Sequence, residues 1–221
     1  MGIAAVTLHR MDDLSIDPSD LQGRQGYFLL TSLVVPRPIA WVSTVDHAGV
    51  RNVAPHSFFN VIATNRPVVQ FVSSGIKDTL RNVRDTEEFV VNVVGEDLLE
   101  PMNLTAADFP PDQDEFDWAE LTAEPSVTVK PPRVRESKAA LECTLREVQE
   151  IENVYMVLGD VTHIHISGDI LGDNGRVMAE KWHPVGRLDG TRYAVADDVI
   201  SLPRPTFADL ATQRNTDGRT P

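Results

Sequence analysis

Residues 38–59 read PIAWVSTVDHAGVRNVAPHSFF, in which two runs rich in Val, Ile, Phe and Thr flank the sequence Asp46-His47-Ala48-Gly49. Residues of these types favour extended strands, and a short polar segment ending in glycine is typical of the turn between two paired strands. We therefore predict an antiparallel hairpin made of residues 38–45 and 50–59, and a fold built mainly from such pairs.

Similar apolar runs, separated by proline and glycine, continue on both sides of this hairpin. They predict further strands at residues 27–35, 68–74, 89–94, 126–129, 140–151 and 154–166. In the last two strands, alternation predicts that the inward-facing residues are Leu141, Cys143, Leu145, Val157 and Val161. Helices are predicted at residues 77–86 and from about Asp97. Many short strands with few helices indicate a mainly β barrel that carries helical insertions.

Length and composition indicate one folded domain. The chain has 221 residues, of which 42% are hydrophobic and 24% charged, and this excludes disorder of the whole chain. No stretch approaches the roughly 20 apolar residues that span a bilayer, so no membrane partner is expected. The acidic, proline-broken residues 110–117 are predicted to form a surface excursion outside the core. We expect an N-terminal extension at 1–24, the domain at 25–202, and a mobile C-terminal tail at 203–221.

The formal net charge of −13 narrows the classes of partner. It disfavours nucleic acid, and it requires any anionic ligand to find a local positive patch. Residues 1–13 show neither an export nor an organelle signal, and the single cysteine, Cys143, has no partner for an intrachain disulfide. These features favour a cytoplasmic location, with Cys143 as a buried structural thiol.

The sequence Ser73-Ser74-Gly75-Ile76-Lys77-Asp78-Thr79 joins a predicted strand to a predicted helix. Such a junction offers unpaired N–H groups, the positive end of a helix dipole, hydroxyl donors and the charge of Lys77. These groups suit a phosphate, although an ordinary capped helix start has the same pattern. We expect Asp78 to turn away from the ligand and to accept hydrogen bonds from backbone N–H groups.

Residues 54–58, Ala-Pro-His-Ser-Phe, include a proline that interrupts strand pairing and leaves backbone groups free near the middle of a strand. Together with Trp41, Ser43 and Thr44 of the preceding strand, this small and aromatic set can accept a flat ring system. For Trp41 and Phe58, packing in the core is the competing interpretation.

A third segment, residues 182–193, combines glycines with two arginines and a tyrosine. Arg187 and Tyr193 can close over a ligand or a neighbouring subunit. Solvated loop charges are the simpler interpretation of either arginine taken singly.

Four pieces of the sequence, in chain order, resemble the flavin reductase-like family. They are RPIAWVST (37–44), NVAPHSFF (52–59), KDT (77–79) and VGR (185–187) with Tyr193. The similarity covers about residues 25–195. It implies the FMN-binding split-barrel fold, which is a mainly β, Greek-key barrel with a few short helices. It also implies a homodimer in which the late arginine and tyrosine segment lies near the site.

The resemblance implies that the ligand is FMN, with FAD as the alternative. Ser73, Ser74, Lys77 and Thr79 are expected to hold the phosphate, and the first two strands are expected to line the isoalloxazine ring. The complete set of expected cofactor-binding residues is Trp41, Ser43, Thr44, Ala54, Pro55, His56, Ser57, Phe58, Ser73, Ser74, Lys77, Asp78, Thr79, Arg187 and Tyr193.

The expected activity is that of a flavin reductase, in which a hydride passes from NAD(P)H to the flavin. This chemistry belongs to the two cofactors and needs no acid, base or nucleophile from the protein. The sequence has neither a Gly-x-Gly-x-x-Gly fingerprint nor a P-loop, so the nicotinamide must bind without a domain of its own. NADH and NADPH are equal candidates, and a monooxygenase that receives reduced flavin is a candidate partner.

Two other functions stay open from the sequence. The same pocket can belong to a non-enzymatic flavin or electron-transfer protein that does not turn over NAD(P)H. Alternatively, His163 and His165, two apart on one strand, can form a metal site with Glu180 and His183, as in a metal-dependent β-barrel enzyme. Histidines that face solvent or make ordinary hydrogen bonds are the competing interpretation of this motif.

Overall fold

Antiparallel strands organise the chain, as the sequence predicts. The computed structural model describes residues 13–210, and residues 1–12 of the expected N-terminal extension and residues 211–221 of the expected tail lie outside this range. The strands are β1 (Arg37–Pro38), β2 (Ala40–Val45), β3 (Arg51–His56), β4 (Phe59–Ala63), β5 (Val68–Ser73), β6 (Glu88–Asn92), β7 (Ala123–Glu124), β8 (Arg133–Val134), β9 (Ala139–Ile151), β10 (Val154–Ile166), β11 (Val185–Arg187) and β12 (Tyr193–Val195). The named α-helices are α1 (Gln25–Leu33), α2 (Asp78–Thr86), α3 (Leu99–Leu104) and α4 (Glu115–Trp118).

Seven of these strands form one sheet in the order β3-β2-β6-β9-β10-β5-β4. Every pairing in it is antiparallel, and the sheet curls into a split barrel. The sheet ends are β3 and β4, which are neighbours in the chain but not in the sheet. A small sheet, β1-β11-β12, brings the late segment of the chain against Arg37 and Pro38. Within residues 13–210, no helix is long and apolar enough to cross a membrane.

The hairpin predicted from residues 38–59 is confirmed over β2 and β3, with Ala40 opposite His56 and Val45 opposite Arg51. The second strand ends earlier than predicted, because Phe59 begins β4 and pairs with β5. Its turn is held by the Asp46 side chain, whose Oδ1 accepts from the backbone N–H of Ala48 at 2.9 Å and of Val50 at 2.8 Å. Aspartate side chains in turns commonly accept such hydrogen bonds from the backbone.

Alternating residues of β2 enter two different hydrophobic clusters, because successive side chains of a strand point to opposite faces. Ala40 and Val42 pack inside the barrel with Phe71, Phe89 and Cys143. The interior cluster also contains Leu80 and Val83 of α2, and the predicted inward residues Val157, Leu141, Leu145 and Val161 belong to it or pack against it. Burial raises the pKa of the Cys143 thiol, which agrees with an unreactive core residue.

The other face of β2 carries Trp41 into the second cluster. The Trp41 indole is fully buried and donates from Nε1 to Thr105 Oγ1 at 2.9 Å. Phe116 of α4 and Met102 of α3 pack in the same cluster. The helix expected from about Asp97 is present as a 3-10 turn at Glu96–Leu98 that continues into α3.

The strand predicted at residues 27–35 is wrong, because this run forms α1. A short apolar run cannot be assigned to helix or strand by periodicity alone. The deciding contacts come from Arg37, whose Nη1 donates to the backbone oxygens of Thr31 at 2.5 Å and Val34 at 2.9 Å. The guanidinium thereby satisfies carbonyl groups at the C-terminal end of α1 that have no helical partner.

The strand predicted at residues 126–129 is also wrong, because this segment is a bend that binds a buried carboxylate. Glu142 of β9 is fully buried and accepts from the backbone N–H groups of Val127 at 2.7 Å and Thr128 at 2.6 Å. It also contacts the Thr128 hydroxyl and His165 Nε2, each at 2.6 Å. Burial acts to raise the pKa of Glu142, but these hydrogen bonds outweigh it and lower the pKa to about 2.

The expectation that residues 110–117 stay outside the core is wrong for Glu115 and Phe116, which are buried. Asp114 caps α4 by accepting from the backbone N–H of Phe116 at 2.9 Å, and this starts a helical turn that points both residues inward. Arg51 of β3 holds the turn in place through ion pairs with Asp114 at 2.5 Å and Asp117 at 2.8 Å.

We predict that Glu142→Gln destabilises the fold at pH 7 by on the order of 2–3 kcal/mol. The substitution replaces one carboxylate oxygen by an N–H donor, so a backbone N–H group of the 126–129 bend loses its acceptor. The measurement is urea unfolding. Since the pKa of Glu142 is lower in the folded state than its ordinary 4.5, its contribution is complete above pH 4.5 and is lost as the pH falls toward 2. The wild-type protein therefore loses stability relative to the variant over this window.

The matched control is Glu147→Gln, on the exposed part of the same strand. It should leave the free energy of unfolding within about 0.5 kcal/mol of the wild-type value. Equal effects of the two substitutions would contradict the role given to the buried carboxylate.

Candidate functional site

A crevice of about 300 Å³ lies between β3, the turn from β5 into α2, and residues 105–111. We call it the turn crevice. The strand ends at Ser73, Gly75 follows with a φ of 137°, and the helix begins at Asp78. Only glycine adopts such a φ readily, so Gly75 lets the chain turn sharply from strand to helix. The turn therefore places hydroxyls, a lysine and a helix start beside β3, as the sequence predicts.

The N-terminal end of α2 lacks a side-chain cap. The N-cap residue, Lys77, makes no capping hydrogen bond. The expected capping role of Asp78 is also wrong, because Asp78 is paired through Oδ1 with Arg81, one turn along the same helix. The guanidinium is a charged partner within reach of the carboxylate, and it takes the place of the backbone donors. The first-turn N–H groups are thus left without a side-chain acceptor, at the positive end of the helix dipole.

Each cation of the turn crevice already has an acidic partner. Lys77 Nζ lies 2.6 Å from Asp108 Oδ1, and both side chains are exposed. Arg81 is paired with Asp78. An incoming anion can replace Asp108 at Lys77 at small cost, because an exposed ion pair contributes little net stability.

His56 carries an unpartnered ring nitrogen in the same crevice. Its Nδ1 lies 3.2 Å from the backbone oxygen of Val72, whereas Nε2 is buried without a partner. Burial and the nearby charge of Lys77 lower the pKa of His56 to about 4, against the opposing effect of the Val72 contact. The ring is therefore neutral at pH 7. With the proton on Nδ1 for Val72, Nε2 keeps a lone pair that can accept a hydrogen bond.

Glu115 is the second group in the turn crevice with an unused polar atom. Its side chain is buried, and Oε2 has no hydrogen-bond partner. Burial, reinforced by the charges of Asp78 and Asp114, raises the pKa of Glu115 to about 7 despite hydrogen bonds from its own backbone and from Val53. The two unused atoms, on His56 and Glu115, mark the crevice as a place where a polar ligand completes the hydrogen bonding.

A second crevice, of about 390 Å³, shares the lining residues Pro55 and Ala106 with the first, so the two are neighbours. We call it the arginine crevice, because Arg24, Arg37 and Arg187 line it and none of the described residues in its wall is acidic. In a chain of net charge −13, this is the local positive patch that an anion needs.

Aromatic rings lie beside these guanidinium groups. Arg24 Cζ is 4.8 Å from the centre of the Tyr27 ring, and Arg187 Cζ is 4.4 Å from the centre of the Tyr193 ring. Arg187 also donates to the Tyr193 hydroxyl, which in turn contacts Asn103 Oδ1 at 3.1 Å. The arginine crevice therefore combines positive charge with flat apolar surfaces, a combination suited to planar anionic molecules.

The family model described as "Flavin reductase like domain" matches residues 32–180. The chain belongs to the flavin reductase-like family. This confirms the resemblance drawn from the sequence motifs and the split-barrel fold that it implies.

Three similar proteins show how far the likeness extends. An uncharacterised protein of Aquifex aeolicus is 43% identical over 77% of this chain and 89% of its own. Nitrilotriacetate monooxygenase component B of Bacillus cereus is 34% identical, with a TM-score of 0.81 over 86% of this chain and 99% of that one. The 2-nitrobenzoate 2-nitroreductase of Pseudomonas fluorescens is 33% identical, with a TM-score of 0.82 over 88% of this chain and 98% of that one.

Most of the expected binding residues of this flavin reductase-like chain line the two crevices. The turn crevice contains Ala54, Pro55, His56, Ser73, Ser74, Lys77, Asp78 and Thr79. The arginine crevice contains Pro55, Ser57, Arg187 and Tyr193. Residues far apart in the sequence thus come together along one side of β3.

Trp41, Ser43, Thr44 and Phe58 do not line either crevice. Trp41 is in the core, and Ser43 is buried with its hydroxyl bound to the Pro132 oxygen at 2.6 Å. Thr44 supports the site from behind, because its hydroxyl and that of Thr79 both accept from the Asn52 amide at 3.1 Å. Phe58 lies partly exposed beside α1, in an apolar groove next to the arginine crevice.

Sequence reasoning missed several residues of the site. The sequence predicts Arg24 in the N-terminal extension and Tyr27 and Phe28 in a strand, and only the helical form of α1 brings them to the arginine crevice. Glu115 had no signal of its own, because it lies in an acidic stretch whose composition predicts exposure. Asn52 and Arg37, by contrast, fall inside the motifs that carry the family resemblance.

Two of the three histidines proposed as metal ligands have other partners. The His163 and His165 rings lie 4.6 Å apart, but His165 contacts the carboxylate of Glu142, and His183 Nδ1 lies 2.7 Å from Asp197 Oδ1. Among residues 13–210, no three histidine, cysteine or acidic side chains are grouped to hold a metal ion. A cavity of about 690 Å³ next to His165 has a wall of mixed charge, with Arg133 3.3 Å from Glu124.

Proposed function

We propose that this protein is a flavin oxidoreductase that binds FMN along β3 and reduces it by hydride transfer from NADH or NADPH. The observation that carries the proposal is that the turn crevice and the arginine crevice lie side by side and share Pro55 and Ala106. One crevice has the groups that bind a phosphate, and the other has the charge and the rings that accept a planar anion. FAD is the alternative flavin, because the arginine crevice has room for further nucleotide groups.

The unused polar atoms of the site fit such a ligand. His56 Nε2 is a buried acceptor, Glu115 Oε2 is a buried carboxyl oxygen, and Arg37 Nε is a buried donor at the edge of the arginine crevice. Buried polar groups in native proteins almost always have partners. A flavin nucleotide has N–H, hydroxyl, carbonyl and phosphate groups that complement all three kinds of atom.

The phosphate is assigned to the end of the turn crevice at Ser74, Lys77 and Thr79. Ser74 is exposed, the first-turn N–H groups of α2 have no side-chain acceptor, and Lys77 exchanges its exposed partner Asp108 for the phosphate. An anion at a helix N-terminus gains from both the N–H groups and the helix dipole.

The flavin ring is assigned to the open side of β3, at Ala54, Pro55, His56 and Ser57. As an edge strand, β3 pairs only with β2, so its other side keeps backbone groups for a ligand. When bound, FMN supplies a ring that accepts a hydride from a reduced nicotinamide. The protein contributes the stacking surface, the exclusion of water, and the guanidinium groups of Arg24 and Arg187 for the phosphates of the nicotinamide donor.

We also propose that a monooxygenase is the partner that receives the reduced flavin. The Bacillus cereus protein similar to this chain is component B of a monooxygenase. A flavin phosphate at the exposed Lys77 side chain suits a protein that passes reduced flavin on.

We predict that Lys77→Ala weakens FMN binding about tenfold and changes riboflavin binding less than about twofold, because only FMN has the phosphate. Flavin-fluorescence titration of the purified protein measures both dissociation constants. Lys130→Ala, another exposed lysine, is the control and should leave both unchanged. Equal losses for FMN and riboflavin in Lys77→Ala would contradict the placement of the phosphate.

We predict that the FMN-loaded protein loses its visible absorption band when NADH or NADPH is added without oxygen, because hydride transfer removes the oxidised ring system. Stopped-flow absorbance measures the rate with each donor. Arg187→Ala should raise the concentration of donor needed for half-maximal rate. A band that persists with both donors, while dithionite removes it, would favour the electron-transfer alternative.

We also propose that two copies of the protein form a homodimer. α1 exposes Leu30 at 62% of its surface, and Val34 and Phe58 are also exposed along one groove of largely apolar wall. On β4, the apolar residues Val61 and Ile62 are also exposed. Apolar patches of this kind on a folded chain mark protein interfaces. Thr31, Arg37 and Ser57 line both this groove and the arginine crevice, so a second copy seated here borders the site.

We predict that Leu30→Asp converts the dimer into a monomer, because a charge placed in the apolar interface has no partner there. Light scattering after size-exclusion chromatography gives the mass directly. Val127→Asp, at an apolar residue of similar exposure on the 126–129 bend, should leave the dimer intact. A wild-type monomer, or the loss of the dimer in both variants, would contradict this interface.

A further inference from the structure

Glu115 is built into the turn crevice in a way that the proposed hydride chemistry does not use. Its residue exposure is 5%, it lies at the first position of α4, and it lines both the turn crevice and an adjoining cavity of about 190 Å³. Its Oε2 is buried and has no partner in the protein. A buried carboxyl oxygen without a partner in a residue that lines a crevice is a candidate to bind a ligand there.

The charged groups around Glu115 leave it without a cation. On α4 and β3, Asp114 and Asp117 both bind Arg51. The remaining ionisable groups that line the two cavities come from α2, the β2–β3 turn, β3 and the 105–111 segment, and they are Lys77, Asp78, Arg81, Asp85, Asp46, His56 and Asp108. Lys77 is paired with Asp108 and Arg81 with Asp78, while His56 is neutral. Every lining cation in this described part of the chain is thus already bound to an aspartate.

A carboxyl group in such surroundings favours its uncharged form. Burial removes water from the carboxylate, and Asp78 and Asp114 repel a further negative charge, so the pKa of Glu115 rises to about 7. A phosphate at the start of α2 adds two more negative charges to the same crevice. Ligand binding must therefore raise the pKa of Glu115 further.

We propose that Glu115 enters the complex as a neutral carboxylic acid and donates a hydrogen bond from Oε2 to an anionic phosphate oxygen of the bound flavin nucleotide. This inference rests on the proposed function and assigns Glu115 as a specificity residue for the phosphate. A carboxylic O–H that donates to an anionic oxygen forms one of the stronger hydrogen bonds in proteins, whereas a carboxylate in the same place repels the ligand. The nucleotide then binds together with one proton.

Proton-coupled binding has a defined direction. Because the complex requires the protonated acid, affinity is full below the pKa of Glu115 and falls as the pH rises above about 7. At pH values well above this pKa, the affinity for the nucleotide falls about tenfold per pH unit. The ligand phosphate completes its own second ionisation near pH 6, so it does not account for a change between pH 7.5 and 8.5.

The test is a series of FMN and riboflavin titrations between pH 6.5 and 9, followed by flavin fluorescence. For the wild-type protein we expect the dissociation constant of FMN to rise up to about tenfold from pH 7.5 to 8.5, and that of riboflavin to stay constant. Glu115→Gln keeps the shape and an N–H donor, so its affinity for FMN should not vary over this range. Asp112→Asn removes an exposed carboxylate of the same segment and should follow the wild-type profile.

Three outcomes overturn the inference while leaving the proposed function intact. They are a flat FMN profile for the wild-type protein, an unchanged slope in Glu115→Gln, and an equal slope for riboflavin. If FMN fails to bind at every pH, the proposed function itself is overturned, and this inference with it.

A second measurement needs no variant. Calorimetric titration of FMN at pH 8, in two buffers with different ionisation enthalpies, counts the protons bound with the ligand. We expect an uptake that approaches one proton per FMN. No uptake would overturn the role of Glu115, whether or not Glu115→Gln folds.

Discussion

The open side of strand β3 is the constraint on which the site depends. β3 is the outermost strand at one edge of the seven-stranded sheet and pairs only with β2. Proline is tolerated in a strand mainly at such an edge, because its missing N–H costs no ladder hydrogen bond there, and Pro55 occupies this position. An unprotected edge invites pairing with another chain. Here the turn into α2 and the 105–111 segment rise beside the edge and convert it into the wall of a crevice.

Two buried glutamates show how hydrogen-bond donors decide the charge of a carboxyl group. Glu142 receives two backbone N–H groups and a hydroxyl, and its pKa falls to about 2 although it is fully buried. Glu115 is also buried, but its Oε2 receives no donor and its neighbours Asp78 and Asp114 are negative, so its pKa rises to about 7. The first is a structural anion that fixes a bend. The second is a neutral acid at pH values below its pKa, available to a ligand.

The sequence predicted those parts of the fold that depend on local pattern. Strand alternation identified the β2–β3 hairpin and the interior residues of β9 and β10, and the strand-to-helix junction identified the turn crevice. The errors arise where a distant residue decides the local structure. Arg37 fixes the end of α1, and Glu142 binds the 126–129 bend in place of a strand neighbour. The inward position of Glu115 likewise depends on ion pairs that Arg51 makes across the fold.

The central claim is that a flavin nucleotide covers the open side of β3, with its phosphate at the start of α2. A crystal structure of the complex with FMN tests this most directly. We expect density for the phosphate within hydrogen-bond distance of Ser74, Lys77 and the first-turn N–H groups of α2, and density for the ring against Pro55. A phosphate bound instead at Arg24 and Arg187, or a ring placed away from β3, would contradict the account.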